Sequence, residues 1–273
     1  MKIALAQLTS GIDPVANAGT IVAAIAEAAA GGAAMLFTPE MSGLVDRDRA
    51  RAAGVLRSED DDVVLGAARA AAAEHRIWVY LGSLAVLGPD GRLANRAFVI
   101  DDSGVIRARY DKLHLFDVDL PSGESWRESA SYAPGEGAVV VETPAGAVGL
   151  SICYDLRFAN LYRALSDAGA SVLAVPAAFT QPTGAAHWHV LLRARAIEAG
   201  AYVVAAAQSG THEDGRATYG HSLVVDPWGE VVLDMGEAAG VGFAEIDPAR
   251  VADVRARIPV LAHRRAIPEV ITA

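Results

Sequence analysis

Cys153 is the single cysteine of this chain of 273 residues. It follows the apolar run Val148-Gly149-Leu150-Ser151-Ile152 and precedes the polar Tyr154-Asp155-Leu156-Arg157. The end of a strand is where α/β proteins place reactive groups, and a thiolate there is a nucleophile. The bland reading of a lone cysteine is a buried structural thiol. A nucleophile needs a base and a group that stabilises developing charge. His114, His187 and His221 are available, so a Cys–His pair is one reading. Glu40 offers another. The strand-like Met35-Leu36-Phe37 delivers Thr38-Pro39-Glu40-Met41, and a carboxylate held behind a proline among apolar neighbours is expected to have a raised pKa through desolvation. A solvated loop glutamate is its ordinary alternative. Lys112 is the third candidate, in Tyr110-Asp111-Lys112-Leu113-His114. The chain has 23 basic residues, and Lys2 and Lys112 are its only lysines. A lysine kept in so arginine-rich a chain suggests a place where a guanidinium cannot replace an ammonium, although most single lysines are surface charges.

Glu40, Lys112 and Cys153 each follow a predicted strand at its C-terminal end, so strands of one sheet could bring them together. Ile3–Leu8 reads as the first strand. Asp13-Pro14 then supplies a cap and a first-turn proline for a helix to about Ala30, ended by Gly31-Gly32. Asp60-Asp61-Asp62 opens a helix to about His75. Ile77–Leu84 and Arg96–Ile100 flank the turn Gly88-Pro89-Asp90-Gly91, and Val105–Tyr110 follows. Asp111 to Gly137 reads as one long irregular stretch, which in a compact domain is usually functional. Strands at 139–141 and 148–152, a helix from about Asn160 to Ala168, a strand at 171–175 and a helix at 186–199 come next. Strands at 202–207, 221–225, 231–233 and 241–246 precede a last short helix that starts at Asp247-Pro248.

About a dozen strands, mixing βα alternation with hairpins, fit a four-layer α-β-β-α sandwich better than a doubly wound sheet: an α/β fold of two mixed sheets packed face to face with helices outside. No glycine-rich phosphate loop follows the first strand, which leaves nucleotide binding without support. The net charge of −10 argues against nucleic acid and anionic membrane as partners. No apolar run approaches the length of a membrane span, and the start is too short for a signal peptide. One cysteine permits no internal disulfide, which points to the cytoplasm. No His-x-x-x-His or Cys-x-x-Cys cluster suggests a metal.

With these segments in view, the chain resembles the nitrilase superfamily of carbon–nitrogen hydrolases from Lys2 to about Pro268. The resemblance is carried by Phe37-Thr38-Pro39-Glu40-Met41, Tyr110-Asp111-Lys112-Leu113-His114-Leu115-Phe116-Asp117 and Ser151-Ile152-Cys153-Tyr154-Asp155-Leu156-Arg157-Phe158. Ala178-Phe179-Thr180, Thr183-Gly184, the helix around Leu191–Glu198 and Tyr219-Gly220-His221-Ser222 look like the branch of deaminated glutathione amidases and ω-amidases. Ala159 departs from the pattern, which usually has proline there.

The resemblance implies one carbon–nitrogen hydrolase domain over residues 1–273, the sandwich fold, and a cofactor-free amidase without metal. It implies Glu40 as base, Cys153 as nucleophile, and Lys112 with the Tyr154 N–H as oxyanion donors. Glu128, in Trp126-Arg127-Glu128-Ser129, would orient Lys112 and help hold the substrate. Arg157, Phe116, Phe179, Thr180 and Thr183 are the expected substrate contacts, with Arg157 pairing a substrate carboxylate or, alternatively, only a structural acid such as Asp155. His187 and Trp188 are expected to pack, and His114 and His221 to be hydrogen-bonded structural residues. A small-molecule amide and a second copy of the chain, in a homodimer or larger assembly, are the implied partners.

Overall fold

The computed structural model describes residues 1–119, 123 and 125–272. Along the chain run β1 (Lys2–Gln7), α1 (Pro14–Ala30), β2 (Met35–Phe37), α2 (Arg49–Val55), α3 (Val63–His75), β3 (Trp78–Leu87), β4 (Leu93–Ile100), β5 (Ile106–Asp111), β6 (Asp117–Asp119) and β7 (Ser125–Arg127). Then come β8 (Val140–Thr143), β9 (Gly146–Leu150), α4 (Ala159–Asp167), β10 (Val172–Ala174), α5 (Gln181–Ala199), β11 (Tyr202–Ala205), β12 (Ser209–Thr211), β13 (Ala217–Tyr219), β14 (Leu223–Val225), β15 (Val231–Asp234), β16 (Gly240–Glu245) and α6 (Pro248–Arg257).

Local chemistry explains the boundaries. The Asp13 carboxylate accepts the Val15 N–H at 2.9 Å and Pro14 fills the first turn, so α1 starts there. Asp62 caps α3 by accepting the N–H groups of Val64 and Leu65, both at 2.9 Å. The acids before it, Glu59–Asp61, form a separate 3-10 turn.

Two six-stranded sheets form, in the orders β16-β1-β2-β3-β4-β5 and β15-β14-β11-β10-β9-β8. Their alternation of side chains sets the layers. In β1, Ile3 and Leu5 join the cluster that also holds Val148, Leu150, Val172 and Ala174 of the second sheet. Ala4 and Ala6, pointing the other way, join Ile21 and Ile25 of α1 and Ala68 of α3. On the far side, Leu161 and Leu165 of α4 and Trp188 and Leu192 of α5 cover the second sheet. The four-layer α-β-β-α sandwich expected from the sequence is therefore the fold. Each fully buried Leu, Ile or Val in this core contributes roughly 1.5–3 kcal/mol. No helix among the described residues is long and apolar enough to cross a membrane.

The differences from expectation lie in the short elements. The described residues hold sixteen strands rather than about a dozen. The stretch after Asp111 is not irregular throughout: β6 and β7 pair as a small antiparallel two-stranded sheet, and Glu128–Ala130 forms a 3-10 turn. α2, β12 and β13 were also unanticipated, and α5 begins at Gln181, five residues early. Three-residue strands and a seven-residue helix carry too few turns of hydrophobic period to stand out.

Candidate active site

Glu40 is held by the turn that leaves β2. Thr38 donates its N–H to the Tyr80 carbonyl at 3.0 Å, and its Oγ1 accepts the Gly82 N–H at 3.0 Å. Ser42 Oγ donates to the Pro39 carbonyl at 2.7 Å, and Ser83 Oγ accepts the Met41 N–H at 3.0 Å. Met41 sits at a φ of 53°, which reverses the chain just after the carboxylate. Gly82 lies in a break of register between β3 and β4 and packs directly on this turn. A Cβ on it would lie 2.5 Å from Pro176 Cβ, 2.6 Å from the Pro39 carbonyl oxygen and nearer still to that of Thr38. Only glycine allows the approach.

Lys112 follows β5 directly and is 2% exposed. Its ammonium donates to Glu40 Oε1 at 2.9 Å and to Glu128 Oε1 and Oε2 at 3.2 and 2.9 Å. Glu128 reaches it from the 3-10 turn after β7 and also accepts the Phe116 N–H at 2.6 Å. Asn95 of β4 joins them, donating from Nδ2 to Glu40 Oε1 and Glu128 Oε1, both at 3.0 Å. Ala178 N–H completes the Glu40 environment with a bond to Oε2 at 3.0 Å.

Cys153 comes from the other sheet, past β9, so the expectation that strands of one sheet gather all three candidates is corrected. The sheets stack face to face, and strand ends from both meet at one edge. Cys153 begins a 3-10 turn, Cys153–Arg157, with a φ of 49°. That backbone costs energy for a side chain with a Cβ and is held by the Cys153 N–H bond to the Pro176 carbonyl at 2.9 Å. The Tyr154 N–H, at the start of the turn, has no acceptor within it. Asp155, fully buried, ties the turn to the Lys112 segment: Oδ2 accepts from Tyr110 Oη at 2.7 Å and Ile152 N–H at 2.9 Å, and Oδ1 from His114 N–H at 3.0 Å and contacts His114 Nδ1 at 2.6 Å.

Electrostatics follow from burial and from these contacts. Desolvation pushes the Glu40 carboxyl up, but the Lys112 charge and hydrogen bonds from Cys153, Lys112 and Asn95 outweigh it and lower its pKa. The raised value expected from an apolar setting is thus reversed. Burial pushes the Lys112 ammonium down, and Glu128 and Glu40 overcome this and hold it charged, well above its ordinary value. The Cys153 thiol is raised well above its own, first by burial and then by the Glu40 charge. The cluster is a protonated thiol facing an ionised carboxylate and a fixed ammonium. Such an arrangement can pass a proton from sulfur to carboxylate and meet a developing oxyanion with a cation.

These groups open into a cavity of about 840 Å³. Tyr154, Arg157, Phe116, Phe179, Thr180 and Thr183 all line it, as do Glu40, Lys112, Cys153 and Glu128. Arg157 does not pair with Asp155. Its guanidinium lies over the rings of Tyr154 and Phe179, at 5.9 and 5.4 Å, and Nη1 meets His187 Nδ1 at 3.2 Å. His187 is exposed rather than packed, whereas Trp188 is buried against Phe179. His114 and His221 are hydrogen-bonded to Asp155 and Asp234. Asn95 was missed, and Asp155 was named only as a possible partner of Arg157. The readable signal for Asn95 was a polar residue in the apolar Leu93–Ile100, beyond the predicted start of that strand.

The carbon–nitrogen hydrolase family model matches residues 2–256. Deaminated glutathione amidase of Rattus norvegicus is 41% identical over 268 residues, covering 96% of this chain and 82% of that protein. The crystal structure of the C. elegans NitFhit protein superposes with a TM-score of 0.90 at 41% identity, covering 97% of this chain and 65% of that chain. A mutant of the amidase from Nesterenkonia sp. AN1, which shows the result of Michael addition of acrylamide at the active-site cysteine, gives a TM-score of 0.78 at 28% identity, over 95% of this chain and 98% of that one.

Proposed function

The chain belongs to the carbon–nitrogen hydrolase family, an enzyme of amide carbon–nitrogen bonds, and within that activity we propose that it converts deaminated glutathione to 2-oxoglutarate and cysteinylglycine through a thioester on Cys153. The observation that carries the reading is the buried Glu40–Lys112 ion pair, which opens with Cys153 into one cavity. The active-site cysteine of the Nesterenkonia amidase supports the same choice of nucleophile.

Glu40 takes the thiol proton as sulfur attacks the amide carbonyl carbon. The oxyanion forms between the Lys112 ammonium and the Tyr154 N–H; such a donor contributes on the order of 10²–10³ in kcat. The C–N bond breaks, the amine departs with the proton from Glu40, and the acyl group stays on sulfur. Glu40 then takes a proton from water as its oxygen attacks the thioester, and the acid leaves as the thiol reforms. Glu128 and Asn95 hold Lys112 and Glu40 in register. Arg157 pairs with the α-keto acid carboxylate beside Phe179, Thr180 and Thr183, with Phe116 on the facing wall, because an unpaired buried carboxylate is costly. Release of ammonia from 2-oxoglutaramate shares the acyl half, and the cavity of about 840 Å³ leaves room beyond that half for a larger leaving amine. The same reading takes the enzyme to act in the cytoplasm, where its one cysteine stays a thiol, and as a homodimer or larger assembly.

The test is release of cysteinylglycine or ammonia across a panel of α-keto amides. Deaminated glutathione is expected to have the highest kcat/KM, and Cys153→Ser to be folded and inactive. A folded Cys153→Ser variant with near-normal kcat overturns the thioester; a simple aliphatic amide as the best substrate overturns the substrate.

A further inference from the structure

Arg216 lies in the turn between β12 and β13, on a wall of the cavity that the mechanism above does not use. Its guanidinium lies 4.7 Å from the centroid of the Trp126 ring. The side chain is only 18% exposed. Of its five N–H donors, only one on Nη2 meets a side-chain acceptor among the described residues, Asp214 Oδ2 at 3.3 Å. Arg216 Nε and Trp126 Nε1 are buried without any partner among those residues. A largely buried guanidinium with most of its donors unspent is unusual, since buried polar groups are nearly always paired. The aromatic face beneath it fixes the plane of the fork, which is how an arginine is set to receive a planar anion.

The surroundings favour the same ligand. Asp214 also faces Arg47 Nε at 3.8 Å, and Asp46, another acid lining the cavity, is taken by Arg51 through bonds of 2.7 and 2.8 Å. Among the described residues the cavity is lined by six arginines and Lys112 against three acids, in a chain of net charge −10. Rings connect the two guanidiniums: Trp126 neighbours Phe116 at 6.3 Å, Phe116 neighbours Tyr154 at 5.1 Å, and Tyr154 lies under Arg157. Arg157 and Arg216 thus line the same cavity as Cys153, joined by this run of rings.

We propose that Arg216, laid on Trp126, binds the carboxylate that ends the leaving amine, so that the enzyme prefers amides of a carboxylated amine to amides that release ammonia. The inference rests on the amidase reading and names what its leaving-group side recognises.

The experiment has two arms. In the first, kcat/KM is measured for deaminated glutathione and 2-oxoglutaramate, which share the acyl half, in the wild type, Arg216→Ala and Arg216→Met. The methionine variant keeps a chain that packs on Trp126. The ratio between the two substrates is expected to fall at least thirtyfold in both variants, through KM. Equal losses on both substrates make Arg216 a structural residue and overturn the proposal. In the second arm, cysteinylglycine and its C-terminal amide are compared as ligands by calorimetry. Wild type is expected to bind the free acid at least tenfold more tightly than the amide, and Arg216→Met to lose that difference. Absence of the difference in wild type overturns the subsite. Should neither α-keto amide be turned over while the calorimetric preference holds, the acyl assignment fails and the subsite stands.

Discussion

Gly82→Ala adds one methyl group, and the structure states where it goes. The new Cβ would lie 2.6 Å from the Pro39 carbonyl oxygen and 2.5 Å from Pro176 Cβ. An ordinary contact of carbon with a carbonyl oxygen is about 3.3 Å, so the Glu40 turn must move by roughly 0.7 Å or more. Neither neighbour can swing aside, because the contacts are backbone atoms and a proline ring. Pro39 precedes Glu40, and the Pro176 carbonyl accepts the Cys153 N–H, so the displacement separates base from thiol. Misplacement of a reacting group by about 1 Å costs on the order of 10²-fold, which puts the expected loss in kcat at about 10- to 100-fold. Overpacking costs about 1–3 kcal/mol, and each kcal/mol lowers Tm by roughly 2–4 °C in a protein of this size. The assay is kcat at 25 °C on protein shown folded by circular dichroism, with a melting curve alongside. A kcat within threefold of wild type and an unchanged Tm would refute the close-approach reasoning.

Lys112→Arg preserves charge but not shape; the ammonium is 2.9 Å from both Glu40 and Glu128 and 2% exposed, so a fork does not fit. A loss of 10²-fold or more in kcat is expected, and a loss under tenfold in folded variant shows that only positive charge matters. The Glu40 carboxyl has a lowered pKa because Lys112 and the hydrogen bonds outweigh burial, so it stays ionised below the ordinary glutamate range as pH falls. In Lys112→Met the burial remains without the cation, and the Glu40 pKa is expected to move above that range, read by ¹³C NMR titration of its carboxyl. An unmoved titration would mean that Lys112 does not control it.

Much of this protein was legible from local pattern. The capped start of α1 at Asp13-Pro14 and the strand Met35–Phe37 were read at their observed bounds, because caps, proline and short apolar runs act within a few residues. The candidate groups were legible too, since a lone cysteine, a rare lysine and a glutamate behind proline each stand at a strand end. The alternation of strands and helices was enough to favour two stacked sheets.

Tertiary structure decided what those residues meet. Asn95 touches Glu40 across 55 positions of sequence, and Ala178 across 138. No periodicity reports such contacts. The reversal of the Glu40 pKa has the same origin: burial could be guessed from its apolar neighbours, but Lys112, 72 positions away, arrives only when β5 takes its place in the sheet. Asp155 was read only as a structural acid that could pair with Arg157, yet it joins the cysteine turn to the lysine segment because two sheets bring their edges together. Charge, hydrogen bonding and steric contact act over a few ångströms in space. The sequence could therefore nominate the reactive side chains, while their protonation, their partners and the glycine that lets them approach were set by packing.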